Sequence, residues 1–209
     1  QQYQLNGTLR VSAAGGFAEN FVAPALMTFA KDHPELSIDI DFNSRMVNFI
    51  EDGIDFAIRY GELNDSNLIA RKLISRSMML VASPDYLAKY GTPNHPNQLK
   101  SHRCILANSD HWTFNIDGIK QSIKVSSNWQ SNNSNVVLDA CEQGLGIAYM
   151  PDSTFTKSIK QKKLVPILAP YCITGATSWI VYQNKQFMPL RARLAIDYLL
   201  EYFAKWPNL

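Results

Sequence analysis

The chain has 209 residues, 46% of them hydrophobic, enough for one large globular domain or two small ones. Lys+Arg total 20 against 18 Asp+Glu, a net charge of +2, too even a balance for the basic footprint with which a segment holds DNA by itself. No apolar run is long enough to span a bilayer, and the opening QQYQLNGTLRV has neither the charged start nor the apolar core of a signal peptide.

Residues 8–14 (TLRVSAA) alternate as a strand, and Gly15-Gly16 breaks it. A helix follows with Val22, Ala25, Leu26, Phe29 and Ala30 on one face. Pro24 fits there only in a first turn or at a bend, and His33-Pro34 ends the helix. Residues 36–42 (LSIDIDF) alternate strictly, which predicts Leu36, Ile38, Ile40 and Phe42 inside and Ser37, Asp39 and Asp41 outside. Asn43-Ser44-Arg45 is a turn and cap. Met46, Val47, Phe49 and Ile50 predict a short helix that Gly53 ends. Strands are predicted over 54–59, 68–74 and 78–82, and Ser83-Pro84-Asp85 caps a helix through Tyr90 that Gly91 ends. Strands alternating with helices imply right-handed crossovers and a mainly parallel sheet. Ligands in such sheets sit beyond the carboxyl ends of the strands, here Ala14 to Phe17 and Asn43 to Arg45.

The loop TPNHPNQ (92–98) marks a boundary. Strands follow over 103–107, 113–116 and 119–126, with Asp117-Gly118 as a hairpin turn. The stretch QSNNSNVVLDACEQGLGIAYMP (130–151) organises the rest. Ser131 to Asn135 prefer helix N-caps, and Val136, Val137, Ala140 and Cys141 form an apolar stripe. Gly144 ends that helix, and Leu145, Ile147 and Ala148 predict a buried strand up to Pro151. A capped helix start beside a strand end makes a polar concavity with free N–H groups, which is half of a ligand cleft or an ordinary αβ unit. A helix over 153–160 with Lys157, Lys160, Lys162 and Lys163 as a solvated basic end, strands over 164–168 and 178–182, and a last helix from Pro189 to about Ala204 complete the chain.

There is no GxGxxG, Walker loop, HExxH helix or GxSxG elbow, so an enzyme has no positive support. Cys104, Cys141 and Cys172 are odd in number and far apart, which argues against a disulfide framework and for a reducing compartment. His33, His95, His102 and His111 do not pair with them at zinc-ligand intervals.

Over nearly its whole length the chain resembles the effector-binding domain of LysR-type transcriptional regulators. The resemblance rests on Gly7-Thr8-Leu9-Arg10-Val11, on Pro24, Leu26, Phe29 and His33-Pro34, and on Gly53 to Arg59 (GIDFAIR) with Gly61. It continues through LVASPDYL (80–87), Gly91, Pro93, Pro96, Leu99, His102 and Cys104, and closes with GLGIA (144–148) and Met150-Pro151. It implies an α/β fold like that of type 2 periplasmic binding proteins, two Rossmann-like subdomains joined by two crossover strands. Subdomain I is expected over 1–79 and 169–209 and subdomain II over 80–168, with 78–82 as the first crossover and the second near 164–169. The family's N-terminal winged helix-turn-helix is expected to be absent from this chain, which looks cut at Gln1.

The resemblance also implies a small-molecule effector bound in the interdomain cleft, a small carboxylate or an uncharged metabolite. It implies a cytoplasmic protein with no membrane partner, paired as a homodimer of antiparallel regulatory domains, with a tetramer and promoter DNA as partners of the full-length protein. No cofactor or metal is expected. Candidate effector contacts are Ala14, Gly16, Phe17, Ser44 and Arg45 on one side and Ser131, Asn132, Asn133 and Tyr149 on the other. Arg45 is equally a solvated cap, the Asn residues are equally caps, and Tyr149 is equally a core aromatic. Arg59 reaches the cleft or pairs with Asp55 or Glu62. Glu19 opposes an anion near Gly16. The acidic face of 36–42 is a wet strand face or a dimer seam opposite the helix 136–143. Cys141, on the apolar stripe, reads as an inert thiol, although some members of the family respond to thiol oxidation. The rival reading of the whole is a periplasmic solute-binding protein of an uptake system.

Overall fold

The computed structural model describes residues 5–61, 63, 67–184 and 187–206. In chain order the strands are β1 (Gly7–Ala13), β2 (Leu36–Phe42), β3 (Phe56–Tyr60), β4 (Leu68–Arg76), β5 (Met78–Ala82), β6 (Cys104–Leu106), β7 (His111–Ile116), β8 (Ile119–Lys124), β9 (Trp129–Gln130), β10 (Ile147–Pro151), β11 (Val165–Ile167) and β12 (Ala176–Gln183). The α-helices are α1 (Ala23–Lys31), α2 (Pro84–Tyr90), α3 (Ser134–Glu142), α4 (Thr156–Lys160) and α5 (Leu190–Ala204). The chain divides into two compact units: unit 1 runs to Ser75 and resumes at Thr177, and unit 2 is Arg76–Ala176.

Unit 1 is built on a five-stranded sheet in the order β2-β1-β3-β12-β4. β1 is parallel to β2 and β3, and β12 runs antiparallel to β3. Alternation along β1 puts Leu9, Val11 and Ala13 into one core with Phe56, Ile58 and Ile180, closed by Ala25, Leu26 and Phe29 of α1 and Ala195, Ile196, Leu199 and Phe203 of α5. On the other face Ala57 and Val181 pack with Phe49 and the half-buried Val47, Ile54 and Trp179. Pro24 is tolerated because a π-helical turn, Ala18–Val22, precedes α1 and leaves the proline in its first turn.

Two expectations fail in unit 1. Residues 46–53 form turns rather than a helix. Asn48 Oδ1 accepts from the Ile50 and Glu51 N–H groups, and Asp52 Oδ2 accepts from Asn48 N–H. These short polar side chains hold the backbone donors that a helix would use. Phe42 is 45% exposed although the alternation is otherwise kept, because it closes an edge strand whose only neighbour is β1.

Unit 2 has a sheet in the order β11-β5-β10-β6-β9 and a separate hairpin, β7-β8. β10 is antiparallel to β5 and parallel to β6. The apolar runs of β5 and β10 are explained by burial on both faces. Leu80, Ala82, Ile147 and Tyr149 enter a core with Trp112 and Phe114. Val81, Ala148 and Met150 enter another with Val137, Ala140, Cys141, Phe155 and Leu164. The hairpin turns at Asp117 and Gly118, both at positive φ (53° and 78°), as a tight two-residue turn requires. Ser83 caps α2 by accepting from Tyr86 N–H, and Gly144 follows α3 at φ 77°. Leu145, expected in the buried strand, is 47% exposed in the turn before β10, and Val136 of the expected stripe is exposed.

The chain passes between the units at 75/76 and 176/177. β5 and β11 are full members of the unit 2 sheet, paired over Val165↔Ala82 to Ile167↔Leu80. The hydroxyls of Ser75 and Thr177 lie 2.9 Å apart in unit 1 at these passages.

Candidate functional site

In unit 1 the carboxyl ends of β1, β2 and β3 gather the polar groups. Ala14 N–H donates to Ile58 O (3.1 Å), and Asn43 N–H donates to Ala13 O (2.9 Å). Gly15, at φ 87°, turns the chain into the π-helical segment, and its carbonyl accepts from Ala18 and Glu19. Asn43 folds the following loop: its Oδ1 accepts from Arg45 N–H (3.1 Å), and its Nδ2 bonds the Asp41 carboxylate. Ser44 and Arg45 are exposed.

Arg59 ties this loop to the sheet. Its Nη2 donates to Ser12 Oγ (2.9 Å) and to Arg45 O (3.1 Å), and Nη1 donates to Ile58 O (2.9 Å). Burial pushes its pKa below the usual arginine value, and attraction by Asp41 opposes the shift. Arg59 does not pair with Asp55, which accepts from Arg10 N–H (2.9 Å) and lies 3.7 Å from Arg191 Nη2. Glu62, the other expected partner, is outside the described residues. An open cleft of about 370 Å³ adjoins the loop, with Arg10, Asp39, Asp41, Asn43, Arg45 and Asp52 in its lining.

The structure therefore brings Ala14, Ser44 and Arg45 to one edge of unit 1, joined by Ser12, Asn43 and Arg59. Gly16 is buried at the turn, and Phe17 is a core aromatic, its ring centroid 5.1 Å from that of Phe203 and 5.6 Å from that of Phe21. Sequence reasoning missed Ser12 as a site residue. Its only signal was its place beside Arg10 on the polar side of the β1 alternation.

In unit 2 the polar run before α3 is a built cap. Ser131 N–H donates to Leu106 O (3.0 Å) at the end of β6. Ser131 Oγ accepts from Asn133 N–H (3.1 Å), and Asn133 Oδ1 accepts from Asn135 (2.9 Å) and Val136 (3.1 Å). Asn132 is exposed. Tyr149 is a core residue: its hydroxyl donates to Thr113 O (2.8 Å) and accepts from Ile173 N–H (3.2 Å), and its ring stacks on Phe114 at 4.7 Å. The proton and one of the two lone pairs of that hydroxyl are thus engaged within unit 2.

The thiols of Cys104 and Cys141 are pushed up to about 12 by burial. Among the described residues no group of His, Cys, Asp and Glu can hold a metal ion, and no helix is long and apolar enough to cross a membrane.

Residues 2–204 match the LysR substrate binding domain. The chain belongs to this family. Among LysR-type relatives, it is 33% identical over 208 residues to the HTH-type transcriptional regulator DmlR of Escherichia coli K12, covering 97% of this chain and 67% of that protein. It is 30% identical over 200 residues to the regulator CrgA of Neisseria meningitidis serogroup C, covering 93% and 67%. The full-length LysR-type virulence activator AphB of Vibrio cholerae superposes with a TM-score of 0.85 at 28% identity, over 95% of this chain and 69% of that one. The regulatory domain of Neisseria meningitidis CrgA does so with a TM-score of 0.83 at 29% identity, over 95% of this chain and 100% of that one. The chain thus spans about two thirds of the curated relatives it matches and corresponds to the regulatory, effector-binding domain of the LysR type, with the type 2 periplasmic-binding-protein-like fold expected above. An uptake system's solute-binding protein is not favoured.

Proposed function

We propose that this LysR regulatory domain binds a small effector. The unit 1 contacts are the turns at Ala14, Gly16, Ser44 and Arg45, and those of unit 2 are Ser131, Asn132 and Asn133. The observation that supports this is the placing of one polar turn in each unit at the end of a parallel strand pair, β1/β3 and β6/β9. An effector that touches both units favours one relative orientation, and only its differential affinity for that orientation shifts the equilibrium. In the parent regulator this shift changes how DNA-reading domains are presented to a promoter. DNA and effector then alter each other's affinity by the same factor.

The pairing that fits this role is a homodimer of antiparallel regulatory domains, the acidic face of β2 against α3 of a second copy, in a cytoplasmic protein that assembles further to a tetramer. The domain turns over no substrate. The test is a thermal-shift screen of metabolites on this chain, repeated on Ser44→Ala and Asn133→Ala. Each shift is taken relative to that variant's own unliganded midpoint, because Asn133→Ala also removes the α3 cap. A hit that loses its shift in either variant supports the site. A hit that both variants bind like the parent protein sinks it.

A further inference from the structure

Arg59 carries an inference beyond the site's location. Its guanidinium is half-buried on the face of the unit 1 sheet opposite the Val11 core, against Ser12, a polar side chain with 0% exposure. Among the described residues its three hydrogen bonds go to neutral oxygens: Ser12 Oγ, Arg45 O and Ile58 O. Among the described residues no carboxylate forms an ion pair with it. A cation that leaves water for neutral acceptors lacks countercharge, and Asp41 only partly offsets the effect of burial. An arginine presents five N–H donors in a fixed plane, so three bonds leave donors for a ligand.

We propose that the effector is a small carboxylate whose charge is read by Arg59, with Ser12 as the residue that positions the guanidinium. This rests on the effector site proposed above. Glu19, Asp39, Asp41 and Asp52 outnumber Arg10, Arg45 and Arg59 by one, so the region has no net positive field to gather anions from a distance. The anion is held by single hydrogen bonds from the remaining Nε and Nη1 protons of Arg59 and by its charge at contact, so affinity depends on that contact more than on ionic strength.

The test is calorimetric titration of the 209-residue chain with acetate, succinate, citrate and benzoate, and with acetamide, succinamide and benzamide as neutral counterparts. At least one carboxylate is expected to bind while its amide does not. Arg59→Gln is expected to weaken that carboxylate by at least about tenfold, Arg59→Lys by less, since it keeps the charge. A purely structural role for Arg59 would not produce the preference for carboxylate over amide or its rescue by lysine. The inference is overturned if no carboxylate of the panel binds, if amides bind equally, or if Arg59→Gln binds like the parent chain. Should Arg59→Gln not fold, Ser12→Ala decides: it loosens the guanidinium without removing the charge, and an unchanged carboxylate Kd overturns the assignment. A neutral amide that binds and is weakened by Ser44→Ala or Asn133→Ala leaves the site standing and removes only the anion reading. A carboxylate lost in Arg59→Gln but indifferent to both other variants does the reverse.

Discussion

The Tyr86 hydroxyl lies 2.8 Å from His102 Nδ1 and is at the same time the acceptor for Arg103 N–H at 3.0 Å. The Arg103 N–H occupies one of the oxygen's two lone pairs, so the Tyr86–His102 bond runs in the direction set by the imidazole tautomer. Burial lowers the His102 pKa from the ordinary 6.5. The native state then binds fewer protons than the unfolded chain. This contribution is fully present above the unfolded pKa and is lost as pH falls below about 6.5 through the lower native value. A plot of Tm against pH should therefore fall on the acid side in the parent chain, and His102→Gln should flatten that part of the curve. An unchanged slope in the variant would show that His102 does not contribute.

Tyr149→Phe keeps the ring stacked on Phe114 but deletes the oxygen that joins Thr113 O to Ile173 N–H. Two half-buried backbone groups lose this partner, at a cost of about 1 kcal/mol. Urea denaturation should show a lower midpoint with an unchanged slope. Effector binding should survive in the folded variant, because the hydroxyl serves the hairpin rather than a ligand.

Gly146→Ala should be among the more damaging small substitutions in unit 2. A methyl group at Gly146 would stand 2.7 Å from Arg103 O, and that same carbonyl accepts from Ile147 N–H at 2.9 Å. Backbone must move in the β6–β10 pair, at about 1–3 kcal/mol by analogy with overpacked cores. A lowered Tm with retained far-ultraviolet circular dichroism is the expected result.

The thiols of Cys104 and Cys141 should be nearly inert in the native protein. Burial pushes both up to about 12, so little thiolate exists at neutral pH. Cys172 is half-buried and also raised. Titration with a coloured disulfide reagent should be slow before denaturation and complete after it. A fast-reacting thiol in the folded chain would contradict the burial and reopen a redox role.

The parts of the fold legible in the sequence are those with a local cause. Ser83-Pro84 and Asn133 were recognisable as caps because each closes a bond two or three residues away. The β1 and β2 alternations were recognisable because a strand shows its faces at a period of two. The run 46–53 misled because its apolar spacing suits a helix, while Asn48 and Asp52 offer the backbone closer partners. Leu145 misled because apolar character says nothing about which residue of a turn is left outside.

The helix caps, the glycine turns and the membership of the LysR family were determined by the sequence alone. They depend on periodicity and on short-range hydrogen bonding, both written within a few neighbouring residues. The choice of Tyr149 as core, the release of Arg59 from Asp55 to Ser12, and the points where the chain leaves each unit were decided only in three dimensions. Arg59 and Ser12 are 47 residues apart in the chain, and Tyr149 and Thr113 are 36 apart. A side chain's partner at such separation is set by which strands pair and in what register, and no local pattern records that.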